Sequence, residues 1–250
     1  MKNKISLSVI VPAINEEENI RSCIESAKRL DPLEIIVVDG GSIDRTREIA
    51  LNAGAVVINS PKGRGIQMNR GASISKGDIL LFLHADSIFN CHSRANGNPK
   101  AIFTEMLDSC WSLPSTPIRG RNDKKNYIGG FFRLKFDDDS ISTRFVEAFA
   151  NLRAKLFLLP YGDQAIFIKK DIFEAIGGFR EYPFLEDIDM AVRLRRLGRL
   201  KYLPYSVTAS SRRIKKGFYF SPIVVSLRNV LLAILFLLGV SPFRLIKLYK

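Results

Sequence analysis

The period of the apolar positions changes repeatedly along the first ninety residues. Residues 5–13 form a β-rich apolar run, residues 15–30 place Ile20, Cys23, Ile24, Ala27 and Leu30 at helical spacing, and residues 34–38 are again a short apolar run. A short helix over 44–52 ends at Gly54, ahead of a strand at 55–59. A helical segment near 67–75 then leads to 78–83, the most apolar strand of the set. Strands apolar on both faces, alternating with helices of about ten residues, predict a parallel sheet covered on both sides. The expected class is α/β, with a doubly wound, mostly parallel sheet.

The alternation fails over 89–127, where Pro114, Pro117 and Gly120 stand among Arg119, Arg121, Asp123, Lys124 and Lys125. That composition predicts a surface insertion. Regularity resumes with a strand at 130–136, a helix at 142–159, a strand at 164–168 and a short helix at 171–176 closed by Gly177 and Gly178. A helix at 186–197 follows, closed by Gly198, with Arg193, Arg195 and Arg196 in its final turns, where the helix dipole favours cations. Residues 1–210 are expected to form one domain with its insertion, and residues 211–250 a basic, apolar helical appendage.

Composition narrows this only slightly. With 250 residues, 46% hydrophobic and 25% charged, the chain is neither collagen, nor a disulfide miniprotein, nor largely disordered. Cys23, Cys91 and Cys110 share no close spacing, which favours a reducing, intracellular compartment. Cys91 and His92 near His84 lack any metal-site spacing, and Trp111 in the insertion reads as packing before acceptor stacking. Lys2 and Lys4 before an apolar run resemble a signal peptide, but Pro12 and Glu16, Glu17 and Glu18 follow at once, so a first strand is expected.

Charge changes the picture more. The net charge is +13, yet residues 190–250 hold 13 Lys and Arg with no Asp or Glu, while residues 1–189 hold 25 of each sign. Excess basic charge beside an apolar stretch points to an anionic membrane surface, and no nucleic-acid-binding motif accompanies it. The 18 residues 223–240 are interrupted by Arg228 and Asn229, leaving 11 uninterrupted at 230–240. Those extend roughly 16 Å as helix against about 30 Å of hydrocarbon, too short to span. A monotopic anchor is expected, peripheral on the inner face of the cell membrane. A helix packed on its own domain, or on a second copy in a homodimer, is the alternative.

Candidate chemistry sits at strand ends. In open parallel sheets ligands bind beyond the carboxyl ends of the strands, and the apolar runs 35–38 and 79–83 lead into Asp39 and, after His84 and Ala85, into Asp86. Gly40 and Gly41 allow close backbone approach to a ligand, and the helix start beyond them offers free amide donors. Helix capping is the competing explanation for Asp39 and Asp44.

Six strings in order, at 8–20 (SVIVPAINEEENI), 35–46 (IIVVDGGSIDRT), 63–72 (GRGIQMNRGA), 79–87 (ILLFLHADS), 161–179 (YGDQAIFIKKDIFEAIGGF) and 184–198 (FLEDIDMAVRLRRLG), resemble a family 2 glycosyltransferase of the GT-A fold. The closing 238–250 (LGVSPFRLIKLYK) is similar to a bacterial subgroup called selenodomain-associated transferases. The resemblance implies inverting transfer of a sugar from a nucleotide-diphospho-sugar, a UDP-sugar favoured, to an unidentified acceptor such as a lipid or polysaccharide precursor of the cell envelope. It implies that Pro12, Ala13 and Asn15 border the nucleoside, with Glu16 behind them. Asp39 would face the base and Asp44 brace the loop. Asp86, with His84 where many members have Asp, would hold Mg2+ or Mn2+ against the diphosphate. Met68 stands where many members have Arg, which leaves Arg64, Gln67 or Arg70 as substitutes, Arg64 first for a diphosphate contact. Asp187 would be the general base, paired with Glu186, and Asp163 and Gln164 would meet the acceptor. Capping competes for Asp187 and a turn role for Asp163. A nucleotidyltransferase, or a non-catalytic membrane-bound nucleotide-sugar sensor, is the alternative function.

Overall fold

The computed structural model describes residues 5–90, 127–212 and 222–249. Cys91, His92, Cys110, Trp111 and nearly all of the expected insertion lie outside the described residues. The elements run β1 (Leu7–Ala13), α1 (Ile20–Lys28), β2 (Glu34–Asp39), α2 (Thr46–Asn52), β3 (Val56–Asn59), α3 (Arg64–Ile74), β4 (Ile79–Phe82) and β5 (Ser87–Asn90). After residue 126 come β6 (Tyr127–Phe136), α4 (Ile141–Phe157), a 3-10 turn (Gly162–Gln164), β7 (Ile166–Lys169), α5 (Lys170–Ala175), α6 (Glu186–Leu197), β8 (Arg199–Ala209), α7 (Pro222–Leu237) and α8 (Pro242–Tyr249).

β1 shows why the sheet is covered on both faces. All seven of its residues are buried, and successive side chains point to opposite faces. Val9 and Val11 enter one core with Ile20 and Ile24 of α1, while Ile10 enters the other with Met68 and Ala72 of α3 and Ile188 of α6. Gly71 lets α3 lie close on that second face, since a Cβ there would come within 2.5 Å of Ile10 Cγ2.

The strand order is β3-β2-β1-β4-β7-β6-β8-β5. β3, β2, β1 and β4 are parallel to one another, as is β6 to β8, while β7 runs antiparallel to β4 and β6, and β5 antiparallel to β8. The sheet is therefore mixed, mostly parallel, with β5 reversed at one edge and one reversed strand, β7, inserted beside β4. That strand starts later than the apolar pattern suggests, because Gly162–Gln164 is a 3-10 turn and Ala165 follows with φ 45°. β8 escapes pattern reading because Pro204 lies inside it. The pairing of β6 with β8 jumps from Phe132↔Leu203 to Arg133↔Ser206, and the bulge absorbs Pro204 and Tyr205.

α7 packs against α4 and α8, and Leu232, Ala233 and Leu245 are buried. Its other face exposes Val224, Leu227, Leu231, Ile234 and Leu237. Among the described residues no helix is long and apolar enough to cross a membrane.

Candidate active site

The first wall of the site is the joined ends of β1 and β2, where Ala13 is paired with Asp39. Gln67 of α3 is buried and donates from Nε2 to the carbonyls of Ala13 (2.9 Å) and Val38 (2.8 Å). Gln67 therefore fastens two strand ends instead of replacing an arginine, and Met68 is core. Asp39 is buried, and its carboxylate accepts from Gly41 N (3.1 Å), Ser42 N (3.1 Å) and Ser42 Oγ. Its oxygens thus brace the loop that follows. Asp44 accepts from Thr46 N (3.0 Å) and Glu17 N (3.1 Å). Burial is the largest single influence there and opposes ionisation, but the bonds from Thr46 and Glu17 together outweigh it and hold the Asp44 carboxyl below its ordinary value.

Asn15, in the left-handed region at φ 52°, ties the same loops together. Its N–H donates to Ser42 Oγ and its Oδ1 accepts from Ile43 N, both at 2.9 Å. Pro12 and Ala13 are the last residues of β1, and Glu16 sits behind them, where Arg212 from beyond β8 bridges it (2.8 Å) and Glu18 (3.2 Å). The Glu16 hydrogen bond above all raises the Arg212 pKa; burial opposes it, and the charges of Glu16, Asp86 and Glu18 add to the rise.

The second wall gathers the carboxylates. Beyond β4, His84 is buried with Nδ1 3.1 Å from Asp163 Oδ1, and its ring lies against Gly162, where a Cβ would fall 2.5 Å from Nε2. Gly162 N donates to Asp187 Oδ2 at 2.6 Å, and Asp187 Oδ1 accepts from Ile188 N at 2.7 Å. A carboxylate has about four acceptor positions, so Asp187 keeps capacity toward the adjoining cavity. Gln164 is fully buried inside the turn, its amide directed to Phe132 O (3.3 Å) and Tyr161 N (3.3 Å), and it does not line that cavity.

Glu186 is 2% exposed, with Oε1 2.7 Å from Arg64 Nε and Oε2 without a hydrogen-bond partner among the described residues. Burial pushes its pKa up; Arg64 opposes that shift and Asp187 adds to it.

A cavity of about 300 Å3 opens beside the second wall. It is lined by Arg64, Asp163 and Asp187 together with three residues that sequence patterns missed, Arg153, Tyr161 and Arg228. Arg153 of α4 lies with its guanidinium 3.4 Å from the Tyr161 ring centroid, and Tyr161 Oη donates to Asn229 O of α7 at 3.2 Å.

The donor set can be tested against a divalent cation. Among the described residues no three His, Cys, Asp or Glu side chains form a metal cluster. His84 is committed to Asp163 and Gly162, which leaves Asp86 as the carboxylate at the strand end. That fits Mg2+ or Mn2+ held by one or two hard oxygens plus substrate phosphates and water, and not a closed protein cage.

Comparison with known proteins bears on the same residues. The family model "Glycosyl transferase family 2" matches residues 8–92. The chain is 26% identical over 234 residues to the probable glycosyltransferase YdaM of Bacillus subtilis (strain 168), covering 83% of this chain and 51% of that protein. It is 29% identical over 197 residues to a PGL/p-HBAD biosynthesis glycosyltransferase of Mycobacterium bovis (strain BCG / Pasteur 1173P2), covering 74% and 68%. It thus spans about half the length of YdaM. Among solved structures, glucosyl-3-phosphoglycerate synthase from Mycobacterium tuberculosis, in complex with Mn2+, UDP and phosphoglyceric acid, superposes with a TM-score of 0.59 at 21% identity, over 96% of this chain and 81% of that one. S. aureus TarS gives 0.58 at 16% identity, over 82% and 37%. These likenesses show a shared GT-A fold.

Glu186 supplies a test of the site's electrostatics. Its native pKa lies above the ordinary 4.5, so the folded state holds the proton to higher pH than the unfolded chain does. The stabilisation that the protonated form gives is complete below the ordinary value and is lost as pH rises through the raised one. Glu186→Gln, permanently neutral, should gain in Tm relative to the parent as pH rises from the ordinary carboxylate range through the raised pKa. A Tm difference that stays constant across that range overturns the assignment.

Proposed function

We propose that this chain, whose residues 8–92 match the glycosyl transferase family 2 model, is a member of that family and transfers a sugar from a UDP-sugar to an acceptor hydroxyl with inversion at the anomeric carbon. The observation that carries the reading is the convergence of Asp163 and Asp187 on one cavity beside the end of β4, where Asp86 and His84 follow the strand. Solved relatives on this fold hold UDP or UDP-glucose with Mn2+ or Mg2+.

Pro12, Ala13, Asn15 and the loop braced by Asp39 form the nucleoside side, and Arg64 the side nearest the diphosphate. Asp86 would hold the divalent cation, which when bound stabilises negative charge on the departing diphosphate. The acceptor hydroxyl oxygen forms the new bond to the anomeric carbon as the bond to the diphosphate oxygen breaks, its electron pair leaving with UDP. The hydroxyl proton passes to a carboxylate oxygen of Asp187, a transfer typically worth about 100- to 10,000-fold. Gly162 and Ile188 fix the orientation of that carboxylate, and Glu186 with Arg64 sets the charge behind it.

The protein docks on an anionic lipid surface through its carboxyl-terminal helices. Two observations support this: the exposed apolar stripe of α7, Val224, Leu227, Leu231 and Ile234, and the wholly basic charge of residues 190–250. Its place is peripheral, on the inner face of the cell membrane.

Three measurements test this reading. Asp86→Ala should abolish Mn2+-dependent UDP binding in calorimetry while the melting curve stays unchanged, and an unaltered affinity overturns the metal assignment. Asp187→Asn keeps the size of the side chain and should lower UDP-glucose turnover by about 100-fold or more with UDP affinity nearly unchanged. Near-normal turnover would return Asp187 to a helix-capping role. Cosedimentation should show binding to vesicles containing anionic lipid, weakened by salt, and little to neutral ones. Absence of binding to every vesicle would leave α7 as a packing helix.

A further inference from the structure

Arg153 is charged, about nine-tenths buried, and has Nε, Nη1 and Nη2 all without a hydrogen-bond partner among the described residues. Such a group is strongly destabilising when it is left uncompensated, so its retention in the wall of a cavity calls for a ligand. Three other charges of the lining are engaged. Arg64 is paired with Glu186, Asp163 faces His84, and Asp187 accepts from Gly162 and Ile188. Tyr161 stacks on the guanidinium and holds its plane, and Tyr161 is itself anchored to Asn229 O of α7. Burial lowers the Arg153 pKa against the opposing influence of Tyr161, Asp187 and Asp163, and a guanidinium keeps its proton throughout the physiological range.

We propose that the cavity takes a phosphate-bearing acceptor, with Arg153 gripping the phosphate. A guanidinium open at all three nitrogens offers five N–H donors in a planar fork, which the oxygens of a phosphate ester use more fully than a carboxylate does. The rest of the lining separates by polarity. Leu134, Phe136 and Val146 pack together as an apolar part of the lining, to which Phe149 of the same helix adds, while Asp187 belongs to its polar part. The phosphate is thus a handle that presents a neighbouring hydroxyl to Asp187, and the apolar side receives the remainder of the acceptor. This deepens the transferase reading and rests on it for the identity of the bound molecule as acceptor.

The test uses the full chain, with glycerol 3-phosphate as the soluble phosphate ester and phosphatidylcholine vesicles with or without phosphatidic acid as the lipid one. The wild type should bind glycerol 3-phosphate but not glycerol, or should bind phosphatidic acid vesicles more tightly than vesicles in which phosphatidylglycerol supplies equal charge. The first result assigns a soluble acceptor and the second a lipid. In either arm Arg153→Met should weaken binding about tenfold or more and Arg153→Lys should fall between, since a lysine keeps the charge and loses the fork. UDP binding with Mn2+, titrated separately, should stay within about twofold of wild type in both variants. Arg153→Lys serves as the folded comparison if Arg153→Met melts early. Wild-type affinity in both variants, or no binding of the wild type to either phosphate, overturns the proposal. Arg153-dependent phosphate binding by a wild-type chain that does not bind UDP would overturn the transferase reading and leave the phosphate site standing.

Discussion

The hydrogen bond from Gly162 N to Asp187 Oδ2, at 2.6 Å, fixes the relation between the two halves of the site. It joins the 3-10 turn before β7 to the first turn of α6, and the same glycine is pressed against His84 at the end of β4. Three chain segments far apart in sequence therefore meet at one residue that has no room for a side chain. The backbone around it is correspondingly constrained, with Leu158, Ala165 and Leu185 all at positive φ. Each such residue costs on the order of 1 to 3 kcal/mol and persists only where the surroundings over-determine it. Here those surroundings are the buried strands β4 and β7 on one side and the core face of α6 on the other.

Buried charge is the second expense of this arrangement, and it is distributed unevenly. Glu186 has a partner for one oxygen only, and Glu147 of α4 is satisfied by Arg144 at 2.6 Å and by the more distant Arg133. Arg153 has an aromatic face and, among the described residues, no hydrogen-bond partner. Stability alone would favour apolar side chains of similar volume at such places. The cation Arg153, which stays without such a pair beside the cavity, is accounted for by the anionic group of the proposed acceptor.

Much of this was readable from the amino acids. β1, β2, β4 and α6 follow from their apolar period, and the acids at the strand ends were found because a parallel sheet places its ligands there. The glycines and the acidic pair at 186–187 could be located by motif, but their hydrogen bonds could not. Asp39 and Asp44 carry the same chemistry in the sequence, and only the loop geometry shows both oxygens of Asp39 turned into it. β8 was hidden by Pro204, whose bulge no local pattern announces. Arg153 was hidden for a deeper reason. α4 exposes Phe145, Leu152 and Leu156 and buries Glu147 and Arg153, the reverse of the rule by which a helix face is assigned to the interior.

That inversion links the proposed chemistry to the proposed surface. α4 and α7 pack on each other, and both line the cavity with polar groups, Arg153 from the first and Arg228 with Asn229 from the second. On their outer sides both display leucine, isoleucine or phenylalanine to the exterior. A helix that is polar toward a cavity and apolar toward solvent is poorly matched to water on one side and to a dry core on the other. It is well matched to a lipid surface outside and an anionic ligand inside. The same two helices would then both seat the domain on the membrane and form the wall behind which the phosphate handle is held. An amphiphilic acceptor would then reach Asp187 along the wall they share, its apolar part passing over Phe136 and Phe149 while its phosphate meets Arg153.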